Sequence, residues 1–452
     1  MPVPASPSLT LALEALPYET AWWRVADWCG QRIRAKTALP LLRDTEHGPQ
    51  PLAAATTWHD PSYRHWRLTL AAGLCWDDGS PLTAADYLRT IRRICRDPGN
   101  RFRTLLSDLD GFAAYTRGES ERLGVHCPAI DSLAFDLTQA NRFFAHLLCA
   151  IALSPLHADD GERSAGPYRL LGHNAERYLL GLNPHFSLEP AASAYPALHY
   201  RRDRSDGTAA AYARGEVDVS AETALAYPLY AAAARCHDFH RRHDGMILLL
   251  AAGSRFAELP ERLRHELARL SDRHALRHHL YNVPAIAASY CPGDRPAPTG
   301  EAPVARFSDE RVSVAYEDFY PNRQIVEELR RQWARYGVRL EPVAERYGQR
   351  ITTTQLRLEI RVSLKSTPLL FYRADLARGL LPAAAGQRAR VLYSHLLAGS
   401  GTDDSRLYAG LDRLLQEHGI AIPLLRMPQG LFVRDGIAAD SVHRVGGFIH
   451  AS

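Results

Sequence analysis

Long apolar runs are missing from this sequence. None approaches the roughly 20 consecutive residues that a membrane-spanning helix needs, so no membrane span is predicted. The opening stretch MPVPASPSLTLALEAL has no basic residue before its short apolar part, which Glu14 interrupts, and it is unlike a secretory signal. The sequence therefore predicts a cytoplasmic protein, or a periplasmic or extracellular one from which a signal has been removed.

An excess of one charge is also missing. The 54 basic residues stand against 50 acidic ones, and the formal net charge of +4 is spread over 452 residues without a long run of one sign. Nucleic-acid-binding proteins usually concentrate basic residues on one face, so no direct nucleic-acid partner is predicted. Lysine is limited to Lys36 and Lys365, and biased base composition explains this arginine excess at least as well as function does.

The cysteines lack a disulfide or zinc pattern. The seven of them are scattered and odd in number, and no two are spaced as CxxC, which excludes a disulfide framework. Unpaired thiols are tolerated best in a reducing compartment, in agreement with a cytoplasmic protein.

One segment, CHDFHRRH, brings together potential metal ligands. They are Cys236, His237, His240 and His243. On a strand residues 237 and 240 would face opposite sides, and the two adjacent arginines would repel a cation. His274 and His278 lie one helical turn apart, a still weaker indication of a metal site. No metal site is predicted.

Catalytic motifs are missing too. The sequence has no GxSxG, no Gly-rich phosphate loop and no HExxH, since RHEL at 264–267 does not complete that motif. Lys365 alone is a weak argument for imine chemistry. The sequence predicts no catalytic residue and no cofactor, although an enzyme built on a binding fold stays open.

What the chain does contain is an alternation of helix and strand patterns over a length that exceeds one hydrophobic core. Residues 8–16 and 63–74 alternate in the manner of strands, and Thr83 is predicted to cap a helix with Asp86 in its first turn. The strand VSVAYED, the amphipathic helix NRQIVEELRRQWARYG and the strand VRLEPVA predict a βαβ unit. The pattern indicates an α/β protein of at least two lobes.

The segment WRLTLAAGLCWDDGSPLTAADYLRTIRRI resembles the signature of family 5 extracellular solute-binding proteins, which has the form TFxLRxGVxFSDGxPLTAxD followed by a helix. The matching residues are Trp66, Leu70, Gly73, Trp76, Asp78, Gly79, Pro81, Thr83, Ala84 and Asp86. Later segments, among them GPYRLLGHNAERYLLGLNPHF, RLRHELARLSDRHAL and AIPLLR, resemble further family patterns in family order. The resemblance spans about residues 8–437.

This resemblance implies a two-lobed periplasmic-binding-protein-like fold of type II, cluster C, with a hinge and a small inserted subdomain. The expected parts are lobe I at 1–25, the subdomain at 26–144, lobe I again at 145–247, lobe II at 248–420, and a return to lobe I at 421–452. The chain is shorter than typical members of the family.

Aromatic residues after two predicted strands are candidate ligand contacts. They are Tyr18, Trp22 and Trp23 after the first strand, and Phe319 and Tyr320 after the first strand of the βαβ unit. Ligands of α/β proteins collect beyond the carboxyl ends of strands, where both groups fall. The alternative is that the paired tryptophans pack in a core.

The chain departs from the family near residues 357–376. Peptide-binding members carry a segment of the type FDxxLxGWxxDYxDP there, whose acidic residues receive the amine of the ligand, whereas this chain has LRLEIRVSLKSTPLLFYRAD. The candidate ligand contacts in this segment are Arg361, Lys365, Tyr372 and Arg373. Three cations without nearby acids would suit an anionic or carboxylate ligand. Alternatively they are solvated, or neutralised by Glu359 and Asp375.

The predicted function is that of a solute-binding protein, which encloses a peptide-like or anionic carboxylate ligand between two lobes and has an ABC transporter permease as its candidate partner. Two alternatives stay open. One is a cytoplasmic member of the same fold recruited as an enzyme or biosynthetic-pathway protein, and the other is a ligand-sensing effector module.

Overall fold

The computed structural model describes residues 8–19, 21–45, 47–159, 161–188, 195–202, 207–222, 225–242, 246–291, 305–349, 353–362, 367–399, 401 and 403–437. Within these ranges the chain divides into two compact units. Unit 1 contains the described residues up to 222 with Thr367 and residues 431–437, and unit 2 contains those of 225–362 and 368–430. Among the helices in these ranges, none has both the length and the apolar character that crossing a bilayer requires.

The described part of unit 1 is built on three sheets. Its strands are β1 (Leu9–Leu13), β2 (Leu42–Thr45), β3 (Gly48–Pro51), β4 (Ala54–His59), β5 (His65–Leu70), β6 (Val125–Ala129), β7 (Ser132–Asp136), β8 (Tyr168–His173), β9 (Arg177–Leu182) and β10 (Ala197–Arg202). The first sheet has the order β1-β10-β9-β8, with β1 parallel to β10. An antiparallel sheet of order β4-β5-β7-β6 and the hairpin of β2 and β3 complete the set.

Helices of unit 1 pack beside these sheets. They are α1 (Trp28–Thr37), α2 (Ala84–Arg96), α3 (Phe112–Thr116), α4 (Phe144–Leu147) and α5 (Thr208–Ala213). The predicted cap of α2 is confirmed, because the Thr83 backbone N–H donates to the Asp86 carboxylate at 2.8 Å in a capping box. The helix buries Tyr87, Ile91 and Ile94, which the 3.6-residue period places on one face.

Unit 2 is built around one large sheet. The described strands of unit 2 are β11 (Phe239–Arg242), β12 (Met246–Ala252), β13 (Ala285–Ile286), β14 (Glu310–Glu317), β15 (Val338–Glu345), β16 (Leu356–Val362) and β17 (Ala421–Arg426). Its helices are α6 (Tyr230–Ala233), α7 (Glu261–Leu270), α8 (Arg273–His279), α9 (Asn322–Ala334), α10 (Leu369–Ala377), α11 (Ala383–Ala398) and α12 (Asp404–Glu417). The last strand, β18 (Gln429–Phe432), begins in unit 2 and ends in unit 1.

The large sheet has the order β13-β17-β12-β16-β14-β15. Strand β12, with the sequence MILLLAA, is buried at every position because it lies between β16 and β17. The predicted βαβ unit is confirmed: β14 and β15 pair in parallel, and α9 connects them. Helix α7 ends at Leu270, and the Asp272 side chain caps the next helix, α8.

The expected boundaries of the lobes differ from the observed units at three points. Residues 225–242, 246 and 247 belong to unit 2, not to the first lobe, residues 421–430 also belong to unit 2, and Thr367 belongs to unit 1. The physical reason is strand pairing, because β12 begins at Met246 and hydrogen-bonds along β17, where Leu248 opposes Leu425. The inserted subdomain at 26–144 stays a prediction.

Candidate functional site

Each unit carries an exposed aromatic side chain in a loop that follows a parallel strand. Tyr18 follows β1 and is 39% exposed, and Phe319 follows β14 and is 37% exposed. In α/β proteins, loops at the carboxyl ends of parallel strands are the usual place for ligand contacts. Both predicted residues therefore lie in loops of the expected type.

Tyr320 is more enclosed than its neighbour Phe319. Its hydroxyl oxygen accepts a hydrogen bond from the Tyr227 backbone N–H at 2.9 Å, and the two tyrosine rings pack edge to face at 5.3 Å. Burial raises the pKa of the Tyr320 hydroxyl. Tyr320 is thus held in place within unit 2, and Phe319 is the more accessible of the pair.

The two tryptophans have different surroundings. Trp22 is 6% exposed, and the Arg34 guanidinium lies 5.6 Å from the centre of its ring. The ring of Trp23 is covered by the Arg93 guanidinium at 4.0 Å, a cation–π contact. These contacts agree with the alternative in which the tryptophans pack within unit 1.

Strand β16 carries a buried row of charges, which we call the charge ladder. It runs through Glu345, Arg357, Glu359, Arg361 and Asp375. The sequence LRLEIRV places its two arginines and Glu359 on one face of the strand and its aliphatic residues on the other, because side chains alternate. In the ladder three carboxylates enclose two guanidiniums, and all five residues are at most 6% exposed.

Arg361 was expected to be a cation without nearby acids, and that premise is wrong. Its guanidinium donates to Glu359 at 2.9 Å, to Asp375 at 2.9 Å and to the Tyr290 hydroxyl at 3.0 Å. Burial opposes its charge, but Asp375 and Glu359 outweigh burial and hold the pKa of Arg361 well above its usual value. Arg361 is neutralised, as the alternative prediction states.

Two of the remaining predicted residues of this segment, Tyr372 and Arg373, are also engaged in unit 2. Tyr372 is buried and donates its hydroxyl proton to Asp412 at 2.7 Å, and burial raises its pKa well above the usual value. Arg373 donates from Nε to the Tyr393 hydroxyl at 3.1 Å. Lys365 lies outside the described residues. Tyr290 connects Arg361 with Tyr372, because its hydroxyl accepts from Arg361 and its ring packs edge to face against Tyr372 at 5.1 Å.

A buried cation that sequence reasoning missed lies on α1. Arg34 is 6% exposed, and among the described residues no acid forms a salt bridge with it. Its Nη1 atom donates to the Thr37 hydroxyl at 3.4 Å, and burial lowers the pKa of Arg34 to about 10. The sequence feature that could have identified this buried cation is the helix segment WCGQRIRAKT, which contains three cations and no acid.

The sequence matches the family model described as bacterial extracellular solute-binding proteins, family 5 middle, over residues 48–280. This match covers more than half of the chain. The chain belongs to this family. The family 5 resemblance predicted from the segment around Trp76 is confirmed.

Solved structures show that the α/β fold of family 5 extends over the whole chain. Haemophilus influenzae OppA in complex with RPPGFSPFR aligns with a TM-score of 0.84 and 14% identity, covering 99% of this chain and 100% of that one. AgaA of A. tumefaciens, in complex with agropinic acid, aligns with a TM-score of 0.78 and 13% identity over 99% of both chains. The predicted periplasmic-binding-protein fold class is confirmed.

A family 5 relative is also detected by sequence. The periplasmic murein peptide-binding protein MppA of Escherichia coli is 26% identical over 144 residues, which are 30% of this chain and 27% of that protein. The chain thus spans about a quarter of the length of the curated relatives that it matches.

Proposed function

We propose that this chain is a solute-binding protein whose ligand is a small peptide or a peptide-like compound. The observation that carries the proposal is the pair of exposed aromatic side chains, Tyr18 and Phe319, in loops after parallel strands. Aromatic rings offer large apolar contact area at low conformational cost. Relatives support the ligand class, since their names refer to a murein tripeptide and to the peptide RPPGFSPFR.

An anionic ligand held by Arg361 is less well supported. The charge ladder has one more carboxylate than guanidinium, so it offers no excess positive charge. A peptide-like ligand needs no such excess, because its own termini carry opposite charges. For these reasons the peptide-like ligand is preferred to the anionic metabolite.

Family membership implies the permease of an ABC importer as the candidate partner of a chain that works outside the cytoplasmic membrane. A chain inside that membrane would bind its ligand without this permease. For the compartment we propose a reducing one, although the family description reads extracellular. All seven cysteines lie within the described ranges and none forms a disulfide there, which fits a reducing environment.

The test begins with the protein purified without denaturation and examined by native mass spectrometry for a retained ligand. Pools of di-, tri- and tetrapeptides are then screened for an increase in melting temperature. A ligand at 100 times its Kd is expected to stabilise the folded protein by about 2.7 kcal/mol. Absence of a retained ligand, together with no stabilisation by any pool, would overturn the proposal, and consumption of a pool would favour an enzyme.

Variants of the two exposed aromatic residues then test whether each of them contacts the peptide. Tyr18→Ala and Phe319→Ala are each expected to weaken binding of the stabilising peptide about tenfold, or about 1.4 kcal/mol. Matched controls are Leu171→Ala in unit 1 and Leu229→Ala in unit 2, which remove side chains that are 52% and 54% exposed. Isothermal titration calorimetry measures all four. Equal effects of variants and controls would contradict the assignment of these two aromatic residues.

A further inference from the structure

Unit 2 contains a cavity that the proposed function does not use. Its volume is about 240 Å³, and it lies beside the first turn of α7 and the end of α12. The lining residues are Glu261, Arg264, His265, Leu380, Pro382 and His418. A peptide site of the usual kind is larger, roughly 300 to 1,000 Å³, so this cavity suits a smaller ligand.

Helix spacing brings three lining residues together on α7, and Gly419 allows the end of α12 to lie close to that helix. Glu261, Arg264 and His265 are neighbours on one face of α7, since residues three and four apart share a face. His418 caps the carboxyl end of α12, and Gly419 follows it with φ of +67°. A Cβ atom on Gly419 would lie 2.6 Å from the Arg264 carbonyl oxygen, so only glycine allows this close approach.

Basic groups outnumber acidic groups at the cavity. The rings of His265 and His418 lie 4.9 Å apart, and the Arg264 guanidinium lies 5.6 Å from the ring of Phe256. The Nε atom of Arg264 is buried and has no hydrogen-bond partner among the residues that the structure describes. The single lining carboxylate, Glu261, is 3.7 Å from His265 Nε2, but its side chain is 75% exposed, so water screens its charge.

Two helices also begin at the cavity. Glu261 is the first residue of α7, and Pro382 precedes the first residue of α11. Within the described part of the chain, no N-cap side chain accepts a hydrogen bond from the backbone N–H groups of either amino terminus. The N-terminal end of a helix carries partial positive charge and favours anions. The carboxyl end of α12 contributes the opposite sign at His418.

We propose that this cavity is a binding site for a small oxyanion, a phosphate or a carboxylate, held by Arg264, His265 and His418. Arg264 offers the directed N–H groups, including the unpartnered Nε, and the imidazoles add donors when protonated. A metal ion fits less well, because Arg264 would repel it. In addition, the described residues contain no group of three or more His, Cys, Asp and Glu that could hold a metal.

The site implies a definite pH dependence. Burial, followed by His265 and Arg264, lowers the pKa of His418 below its usual value, against the opposing effects of Glu417 and Glu261. The folded protein without anion therefore prefers neutral His418, and the stability from this group is lost as the pH falls through the ordinary histidine pKa. An anion reverses the preference, so anion binding should strengthen as the pH falls toward the ordinary histidine pKa.

The test is a nuclear magnetic resonance titration of the full chain with its histidines labelled by ¹⁵N. Inorganic phosphate and citrate are the two probes, and they distinguish a phosphate site from a carboxylate site. We expect saturable shifts of the His265 and His418 ring signals with at least one probe, and a higher His418 pKa in its presence. Sodium chloride at matched ionic strength serves as the control.

Arg264→Gln is expected to weaken probe binding at least about tenfold. The matched control Arg262→Gln removes one charge from the same helix outside the cavity and should leave binding unchanged. His418→Gln is the second variant, in case Arg264→Gln fails to fold, and it should weaken the pH dependence to the part that His265 contributes. The proposal is overturned if no probe gives a saturable shift, if both arginine variants lose binding equally, or if Zn²⁺ alone shifts both rings.

Discussion

Two buried arginines, Arg361 in unit 2 and Arg34 in unit 1, differ in their partners. Arg361 contacts the carboxylates of Glu359 and Asp375, whereas no acid among the described residues forms a salt bridge with Arg34. Removing one member of a buried ion pair leaves the other charge without a partner in a medium of low dielectric constant. Removing a buried cation that has no acid beside it leaves no such charge.

The two arginines should therefore respond in opposite ways to substitution. Arg361→Met is expected to lower the free energy of unfolding by about 3–5 kcal/mol, because it leaves two buried carboxylates without the cation that they contact. Arg34→Met, its matched control, should be neutral or stabilising. Urea denaturation measured by circular dichroism checks both. Similar losses for the two variants would contradict the assignment of partners.

At the scale of single elements, glycine ends α9 for a steric reason. Gly337 has φ of +78°, and a Cβ atom there would lie 1.9 Å from the Phe307 carbonyl oxygen. Gly118 has nearly the same φ, +76°, but nothing lies within 4 Å of its Cβ position. A comparison of Gly118 with Gly337 therefore separates the energetic cost of a left-handed backbone from the cost of a Cβ atom that lies too close to the Phe307 carbonyl oxygen.

Substitution of each of the two glycines by alanine should lower the free energy of unfolding by different amounts. Gly118→Ala is expected to cost about 1–2 kcal/mol of unfolding free energy, the penalty for left-handed backbone. Gly337→Ala should cost several kcal/mol more, since a backbone oxygen cannot rotate away as a side chain can. Urea denaturation of both variants measures the difference. If the two losses were equal, the contact with Phe307 would have no energetic role.

The βαβ unit was predictable from sequence, whereas the burial of the β16 charges was not. Strand β14 and helix α9 have periods that a local segment displays by itself. The alternation in β16 indicates a strand with one polar face, and such a face is usually solvated. Here Glu345 and Asp375 come from other elements to neutralise it. Asp375 was one of the two acids named from the sequence as an alternative, whereas no local rule identifies Glu345.

At the scale of the whole molecule, the cysteines bear on the compartment in which the chain works. Cys236 is exposed, while Cys29, Cys95 and Cys149 are buried. Burial raises the pKa of the Cys95 thiol to about 12, and it raises the pKa of Cys29 and Cys149 as well. Thiolate is the reactive form, so Cys236 should react well before these three.

A membrane-impermeant maleimide applied to intact cells is therefore expected to leave the protein unlabelled. After lysis it should label Cys236 first, and Cys236→Ser should remove that fast reaction. Mass spectrometry of the recovered protein measures the labelling in intact cells and after lysis. Labelling of Cys236 in intact cells would place the chain outside the cytoplasmic membrane and contradict the proposed reducing compartment.

The sequence by itself determined the family, the α/β class and the cap of α2 at Thr83, because each is carried by segments whose residues lie close together in the chain. Tertiary structure alone decided that β17 joins the sheet of unit 2, that Arg357 meets Glu345, and that His418 lies beside His265. Those contacts join residues far apart in the chain, and side-chain alternation and helix periodicity carry no information about which distant partner completes a pair.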